Sequence, residues 1–431
     1  MNKNAEINNF VVNGQLPTVE IHILRPVEAS NKNRDFNNRI KTVNFGKGKR
    51  VRWSSQATKK PITKRLSEIS KEISGIESVH SRMFPCNVKR VLEDLMNTTD
   101  EQVSAYINAV EAYLGSKENA EQTSQVIFFS NLNVKQAATA FCDLYQKVEN
   151  KEKLMETLVL AKSKEDKDKK KKEKTEEQKA LEALNKEMEK EAARLEVDPM
   201  AALTGKMSTD PAYGASVEYA ALHMSHPYSV DLCHDDIDTY VATDDLISGN
   251  KYASFIAGVN TANQGGGFMG DIDMAANVYY EYASISTRLL FENLLANYTD
   301  DTLTREILNN KLEIVQVLTK EFIKLFTETT PEAKQTTMAS NPLPYVTLVL
   351  TGKNMFTHTS NRFEKVVTGR GYDSIGDEAV SRLSEEASYW TNGAFARDYD
   401  RMFWVTDLYV NKVPAGAECV SRKVMLDGIF A

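Results

Sequence analysis

A long helix-forming block separates two regions of the chain that have the sequence patterns of β-strands. Over residues 64–196, apolar side chains recur at helical spacing, as in "VKRVLEDLM", "QVSAYINAVEAYL" and "NVKQAATAFCDLYQKV". Strand-like segments precede this block and follow it. A strand region interrupted in this way predicts an α+β fold, in which a small sheet domain carries a helical insertion.

The strand patterns are clearest at two places. The segment "TVEIHILRP" (residues 18–26) alternates Val19, Ile21 and Ile23 with polar side chains, which is the period of a strand. The segment "AANVYYEYASIS" (residues 275–286) is rich in aromatic and β-branched residues, which favour strands. Further elements are predicted at 216–228 (a strand or a short helix), 263–271 (a glycine-rich turn), 303–327 (a helix) and 345–350 (a strand).

The most unusual local composition lies at "FGKGKRVRWSSQATKK", residues 45–60, which holds six Lys or Arg and no acid. The wider window 32–65 has twelve basic residues and one acid, although the whole chain has a net charge of -7. Like charges at this density repel one another unless an anion neutralises them, so the window indicates an anionic partner. A solvated lysine-rich face is the alternative interpretation.

Within this window the side chains alternate in character. Val51 and Trp53 alternate with Arg50, Arg52 and Ser54, which predicts a strand over residues 49–54 with one buried face and one exposed face. The exposed face is expected to be cationic.

A helix is predicted directly after this strand. Ser54 and Ser55 are good N-caps, and Lys59 and Lys60 follow one turn later, with Pro61 next in the helix. Because a helix N-terminus offers free backbone N–H groups and a positive partial charge, this segment resembles a phosphate cradle. The spacing of a P-loop is absent, so a polyanion is favoured over a single nucleotide, and nucleic acid is the leading candidate.

Length and composition set wider limits. The 431 residues, of which 42% are hydrophobic, are enough for a sizeable core. No run of eighteen apolar residues and no signal-like N-terminus are present, so we expect a cytoplasmic protein with no membrane partner. The four cysteines show no C-x-x-C spacing, which argues against a disulfide scaffold or a zinc ribbon, and we expect them to be buried thiols.

A lysine-rich tract lies inside the helical block. "KSKEDKDKKKKEKTEEQK" (residues 162–179) contains nine Lys, six acids and no hydrophobic residue. Such a segment has nothing to bury, so we interpret it as a solvated arm or as the exposed end of a long charged helix. A role in nuclear localisation or in RNA binding is the alternative, and it is weakened because the interleaved acids cancel much of the charge.

Six separated blocks, taken in order, carry a family resemblance. They are "NRD" (33–35), the basic segment 45–60 against F-G-G-x-x-R-V-R-I-S-S-Q-x-x-K-R, "ALTGKM" (202–207), "DIDTYVATDDL" (236–246) against D-I-D-x-F-x-A-V-D-D-L, "NVYYEYASI" (277–285) and "PEAKQTTMASNP" (331–342). The chain resembles the CasC family, the repeated backbone subunits of the type I-E CRISPR complex called Cascade. Trp53, Tyr240 and Thr243 depart from the family pattern, which has an aliphatic residue, Phe and Val at these positions.

The resemblance implies a hand-shaped protein. Its palm is similar to an RNA recognition motif, with a ferredoxin-like fold, and spans residues 15–60, 197–228 and 273–431. Its helical fingers span 61–196, and its thumb is a β-hairpin over 229–272. Family members stack head to tail on the CRISPR RNA (crRNA) between other Cascade subunits, and each thumb displaces every sixth base. The remaining guide is presented for pairing with target DNA.

The resemblance, together with the basic window, also implies the site residues. Residues expected to bind RNA are Arg34, Lys41, Lys49, Arg50, Ser54, Gln56, Lys59, Lys60, Lys206 and Met207. Residues expected to form the base wedge of the thumb are Tyr240, Phe268 and Met269. No catalytic residue, metal or cofactor is expected. The six Asp of residues 229–247 are expected to act as turn and cap acceptors, or to face basic residues of the next subunit.

Two other classes of protein stay open at this point. A generic single-stranded RNA-binding protein has the same basic composition. A metal-dependent nuclease is suggested by the residues that crowd together at 223–236, namely His223, His226, Cys233, His234, Asp235 and Asp236. Their spacing matches no zinc signature, which weighs against this class.

Overall fold

The structure is a computed structural model that describes residues 1–162, 175–192, 195–208, 216–242, 268–353 and 357–431. The N-terminal part begins with a short helix and then enters the strand that forms the centre of the sheet. In chain order its elements are α1 (Lys3–Val12), β1 (Thr18–Ser30), β2 (Thr42–Phe45), β3 (Gly48–Val51) and α2 (Ser55–Ser74).

A helical unit follows and has a hydrophobic core of its own, which extends from Phe84 to Met188. Its elements are β4 (Ser78–Ser81), α3 (Phe84–Leu95), α4 (Glu101–Leu114), β5 (Ile127–Ser130), α5 (Asn131–Lys147), α6 (Lys151–Lys162) and α7 (Glu176–Ala192). Residues 163–174 of the lysine-rich tract lie outside the described residues.

The structure moves the expected boundary of this unit. Helix α2 runs through residue 61, and its buried side chains Ile62 and Leu66 pack into the core of the sheet and not into the core of the helical unit. Helix α2 is therefore part of the sheet domain, because its apolar face is buried there.

The chain then returns to the sheet through a series of short strands and one long strand. These are α8 (Pro199–Thr204), β6 (Lys206–Ser208), β7 (Ser216–Glu218), β8 (Leu222–Met224), β9 (Tyr228–Ser229), β10 (Asp235–Ala242) and β11 (Phe268–Ser286). The 216–228 segment thus forms strands and not a helix. Residues 243–267, which include most of the expected glycine-rich turn, lie outside the described residues.

The C-terminal part completes the sheet and adds helices to both of its faces. Its elements are α9 (Thr287–Leu294), α10 (Arg305–Glu328), α11 (Gln335–Met338), β12 (Val346–Gly352), α12 (Ser360–Glu364), α13 (Ile375–Asn392), β13 (Tyr399–Val405), β14 (Glu418–Cys419) and α14 (Arg422–Gly428). The predicted helix over 303–327 and the predicted strand over 345–350 are confirmed as α10 and β12.

The central sheet has the strand order β10–β11–β1–β12–β13–β14, and β8 and β9 also pair with β11. Strand β1 is antiparallel to both neighbours, with Val19 opposite Ile285 of β11 and opposite Thr351 of β12. The predicted α+β fold class is confirmed, because a central mixed sheet is combined with many helices, several of which pack on it in the main hydrophobic core.

The two faces of β1 meet different layers. Val19, Ile21 and Ile23 pack against the apolar sides of α2 and α10, in the main core. Glu20 and His22 point to the other face, where Trp390 of α13 lies with its ring centroid 5.3 Å from that of His22. Burial lowers the pKa of His22 to about 3, so this imidazole is neutral in the folded protein.

One buried arginine connects several elements of the sheet domain. Arg25 of β1 is fully buried and donates from Nε to Oε1 of Glu281 in β11 at 2.6 Å. Its Nη atoms donate to the carbonyl oxygens of Phe326 (2.9 Å) and Thr327 (3.0 Å), at the end of α10. A fourth bond goes to the carbonyl oxygen of Pro342 (2.7 Å), shortly before β12.

The structure corrects the expectation about the cysteines. All four cysteines are free, but Cys419 is exposed and the other three are only half-buried, so the expectation of buried thiols is wrong. The described helices include none that is long and apolar enough to cross a membrane.

The buried arginine gives a first prediction. Arg25→Met is expected to lower the free energy of unfolding by about 3–5 kcal/mol, because it leaves the Glu281 carboxylate buried without its cation. Urea denaturation of the purified chain measures this change.

Arg288→Met is the matched control. Arg288 pairs with Glu292 on the surface of α9, with half of its side chain exposed, so a change of about 0.5 kcal/mol or less is expected. If the two variants are equally stable, Arg25 does not organise the domain.

Candidate nucleic-acid interface

Much of the basic window forms a surface around the N-terminus of α2, whereas Lys32 and Arg50 of the window are buried. Asn33 lies at its centre: its Oδ1 accepts a hydrogen bond from the backbone N–H of Ser54 (2.9 Å), and its carbonyl oxygen accepts one from the N–H of Lys41 (2.9 Å). The carbonyl oxygen of Lys41 in turn accepts from the N–H of Arg52 (2.9 Å). The loop that carries Arg34 is therefore fastened to the start of α2.

The start of α2 is capped by side chains from two parts of the sequence. Ser54 is the N-cap, as predicted, and its Oγ accepts from the N–H of Ala57 (3.2 Å). Nδ1 of His226 accepts from the N–H of Ser55 (2.8 Å). These two N–H groups already have protein partners, so the expected cradle of free backbone amides is reduced at both positions. An anion at the start of α2 would therefore be bound mainly by the cationic side chains around the helix N-terminus.

The lysines of this helix differ in exposure. Lys60 and Gln56 are exposed, whereas Lys59 is half-buried. Burial lowers the pKa of Lys59 from its ordinary value. An anion bound beside Lys59 would favour its charged form and offset this effect of burial.

Arg50 corrects the expectation of an exposed cationic strand. Its side chain is fully buried, and Nη1 donates to the carbonyl oxygens of Ser229 (3.1 Å) and Val230. Nη2 donates to the carbonyl oxygens of Phe363 (3.1 Å) and Glu364 (3.3 Å). The guanidinium binds the protein's own backbone, so in this fold it is not exposed for the predicted contact between Arg50 and RNA. Strand β3 also ends at Val51, three residues before the predicted end.

Lys49 and Trp53, on either side of Arg50 and Val51, have distinct positions. Lys49 is exposed, and its carbonyl oxygen accepts from the N–H of Cys233 (2.8 Å), near the start of β10. Trp53 is buried and stacks on Tyr279 of β11, with ring centroids 4.2 Å apart and planes at 22°. The large ring of Trp53 is therefore accommodated in the core, directly before the N-cap.

The "TGKM" segment follows a helix that packs on α2. Lys206 and Met207 belong to β6, which follows α8, and α8 packs on α2. Lys206 is half-buried and lies close enough to Asp198 to oppose the effect of burial, which raises the pKa of Asp198 to about 6. The side chain of Met207 lies outside the described part of the structure, so its predicted contact with bases stays a prediction.

A two-stranded arm, formed by β10 and the first half of β11, extends from the sheet. All eight residues of β10 are exposed. In the register of this arm Tyr240 lies opposite Gly270, and Val241 lies opposite Met269. Because side chains alternate between the faces of a strand, Tyr240 and Phe268 share one face and Met269 lies on the other. The predicted wedge residues therefore form two sets.

The ring centroids of Tyr240 and Phe268 lie 6.1 Å apart. Gly270 makes room for this pair, since a Cβ at this glycine would lie 2.7 Å from the Tyr240 hydroxyl. Both rings are largely exposed, at 41% and 59%. The aromatic face of the arm is thus available to another molecule.

The aspartates at the base of the arm differ in burial and in hydrogen bonding. Asp231 is buried and accepts hydrogen bonds from Nδ2 of Asn277 (2.8 Å) and from the N–H of Val278 (3.1 Å), which fixes the base of the arm to β11. Burial raises the pKa of Asp231. Asp235, Asp236 and Asp238 are exposed on β10. The expectation that these aspartates act as structural acceptors is thus met by Asp231.

The residues considered for a metal site do not converge. Nδ1 of His226 accepts a hydrogen bond from the N–H of Ser55 (2.8 Å). Sγ of Cys233 lies 3.8 Å from Oδ1 of Asp235. Across the described residues, no group of three or more His, Cys, Asp or Glu side chains is placed to hold a metal ion.

Sequence reasoning missed two residues of this surface. The sequence suggests His226 only as a metal ligand, yet its imidazole caps α2. Burial lowers the pKa of His226, and the nearby cations Arg52 and Lys41 lower it further. Asn33 belongs to the motif "NRD", but its role in joining the loop to α2 depends on a contact between residues 21 positions apart in sequence. Neither contact has a local sequence signal.

The sequence profile of the CT1975-like protein family, a family of CRISPR-associated (Cas) proteins, matches residues 19–426. The chain belongs to this family. Among curated proteins, no sequence matches the chain.

Two solved structures share the fold. A chain of a "CRISPR RNA-guided surveillance complex, pre-nicking" has a TM-score of 0.65 and 18% identity, over 96% of this chain and 100% of that chain. A chain of a "CRISPR RNA-guided surveillance complex" has a TM-score of 0.58 and 16% identity, over 96% and 99%. At this level of identity the likeness establishes the fold.

The contrast between two adjacent cations gives a second prediction. Arg50→Ala is expected to lower the free energy of unfolding by roughly 2–3 kcal/mol, because four backbone carbonyls lose a charged donor in a buried place. Lys49→Ala, at an exposed side chain, is expected to leave stability unchanged. Thermal and urea denaturation of both variants test this difference, and equal stability would contradict the structural role of Arg50.

Proposed function

We propose that this protein is the crRNA-binding backbone subunit of a CRISPR surveillance complex of the type I-E Cascade kind. The observation that carries the proposal is the connected basic surface at the start of α2, where the Asn33 loop, Lys41, Arg52 and the first turn of the helix are joined by hydrogen bonds. A surface with this charge binds a phosphate backbone whatever its sequence, as a guide of arbitrary sequence requires.

The strand order supports an RNA-recognition-motif-like palm. In chain order, β1, α2, the edge strands β8 to β10, β11, α10 and β12 follow the β-α-β-β-α-β pattern of ferredoxin-like folds. In space the edge strands, β11, β1 and β12 lie side by side. Helix α13 and strand β13 are additions to this pattern.

The arm supports head-to-tail assembly along the guide. Ile237, Val241 and Met269 are 67%, 49% and 67% exposed on one face, and the aromatic pair is exposed on the other. Within the part of the chain that the structure describes, apolar side chains on both faces of this arm stay largely exposed. They suit contact with RNA bases and with a neighbouring copy, and such a heterologous contact generates a helical filament.

We assign no enzymatic activity to the chain within this proposal. The RNA is held by charge and shape, target DNA pairs with the guide, and other subunits of the complex complete the assembly. A metal-dependent nuclease has no specific observation in its favour, since the imidazole of His226 caps a helix.

The basic surface gives a third prediction. Lys59→Ala combined with Lys60→Ala is expected to reduce the slope of log affinity against log salt by about 1.4, which is about 0.7 for each lost phosphate contact on a single strand. Filter binding or fluorescence anisotropy over a salt series, with RNAs of several sequences, measures this slope.

The control replaces two exposed lysines outside this surface, Lys353 and Lys423, by Ala. This variant is expected to keep the wild-type slope, and the RNA is expected to stay intact in the assay with and without a chelator. A Lys59 and Lys60 double variant with the wild-type slope would remove both residues from the guide-binding surface.

The arm gives a fourth prediction. Tyr240→Ala combined with Phe268→Ala is expected to blur the periodic pattern of reactive bases in a bound guide, because stacking on one base is worth about 1–3 kcal/mol and the loss recurs at every copy. Chemical probing of the assembled complex measures the pattern, and phosphate-driven binding is expected to remain.

Met269→Ala separates the two faces of the arm. Since Met269 lies on the other face, a loss of periodicity in this variant alone would assign the wedge to the Met269 face. An unchanged pattern in both variants would remove the arm from the mechanism.

A further inference from the structure

The turn between β1 and β2 presents an aromatic ring directly to solvent. Phe36 has a relative exposure of 101%, the largest among the exposed hydrophobic side chains of the described residues. Folding buries none of this ring, so its place in the sequence is not explained by the protein's own core.

The turn is held in one conformation without any contribution from the ring. Oδ1 of Asp35 accepts from the N–H groups of Asn37 (2.8 Å) and Arg39 (3.0 Å), and the N–H of Asp35 donates to the carbonyl oxygen of Arg39 (2.8 Å). Arg34 and Ile40 form an antiparallel bridge below the turn. Phe36 is thus displayed on a built turn, and not on a loose loop.

The surroundings of the ring are cationic. Arg34 and Arg39 are both exposed, on either side of Phe36. Asn33 fastens the same turn to the N-terminus of α2 through Ser54 (2.9 Å). The ring therefore stands at the edge of the basic surface and not on a separate part of the molecule.

We infer that Phe36 is a stacking platform for an unpaired base of single-stranded RNA, with Arg34 and Arg39 neutralising the flanking phosphates. The inference rests on the proposed function and adds a base contact to a surface otherwise made of phosphate contacts. A flat ring with a cation on each side matches the alternation of base and phosphate along a strand. Because every base has a π-face, such a contact does not select sequence.

The test compares RNA with and without bases. Wild type, Phe36→Ala and Phe36→Leu are titrated with a short oligouridylate and with an abasic phosphodiester of the same length. Loss of one stacked base is expected to weaken binding of the oligouridylate about 5- to 150-fold in Phe36→Ala. Binding of the abasic strand and the salt slope are expected to stay at wild-type values, because the phosphate contacts remain.

Phe36→Leu distinguishes stacking from ordinary hydrophobic docking. Leucine keeps most of the apolar volume but has no flat π-face, so this variant is expected to bind the oligouridylate nearly as weakly as Phe36→Ala. If Leu restores wild-type affinity, the ring does not stack on a base and the inference fails.

A direct signal comes from Phe36→Trp. The native tryptophans Trp53, Trp390 and Trp404 are at most 5% exposed. The fluorescence of a solvent-exposed indole at position 36 therefore differs from that of the buried native indoles. Oligouridylate is expected to quench this emission, and the abasic strand is expected to leave it unchanged. Equal responses to both strands would overturn the stacking contact.

The remaining outcomes separate this inference from the proposed function. If wild type fails to bind either strand, the proposed function fails and the inference fails with it. If wild type binds with a normal salt slope and Phe36→Ala binds equally well, only the inference fails. If Phe36→Ala instead abolishes self-association without RNA, measured by sedimentation, Phe36 contacts a second copy of the chain, which also overturns the inference. Thermal unfolding of each variant is expected to match wild type, since the ring is not part of the core.

Discussion

The sheet domain depends on one buried cation. Arg25 neutralises the buried carboxylate of Glu281. It also donates to carbonyl oxygens at the C-terminal end of α10, where the last turn lacks intrahelical donors and the helix dipole is negative. Strands β1 and β11, helix α10 and the segment before β12 all meet at this guanidinium. The arrangement of these elements of the sheet domain thus depends on a polar interaction inside an apolar core.

A second arginine repeats this arrangement at the edge of the domain. Arg50 fixes the β2–β3 hairpin to the chain around Ser229 and to the loop around Phe363. Its neighbours Lys49 and Arg52 face outward to a greater extent. Adjacent basic residues in one motif therefore differ, since the buried one has the task of holding the motif in place and the others keep more of their side chains in solvent. Arginine suits the buried task, because its planar fork of donors reaches several carbonyls at once.

The sequence was sufficient to predict the elements whose signals are local. Strand β1, the N-cap Ser54 and helix α10 were predicted from alternation, capping chemistry and helical spacing. Helix α13 was not predicted, although its N-cap Ser374 accepts from the N–H of Asp377 (3.0 Å) and is a local signal.

The errors concern contacts between distant segments. Alternation shows that Arg50 points away from Val51, but not that the other side of the hairpin is also covered, here by residues near 229 and 363. The pairing register of the arm separates Met269 from Tyr240, and this register depends on how two distant segments align. The expected boundary at residue 61 was wrong because α2 packs on a helix more than 200 residues later in the chain.

Strand β11 determines how far the arm extends from the sheet. One strand of 19 residues pairs with β10 at its outer end and with β1 at its inner end, so the arm and the central sheet share one continuous strand. A pleated strand hardly stretches, and at about 3.3 Å per residue its length is about 60 Å. The reach of the arm is thus set by counting residues. Two residues added to both strands would lengthen it by about 7 Å and keep each side chain on its face, whereas one added residue would exchange the faces.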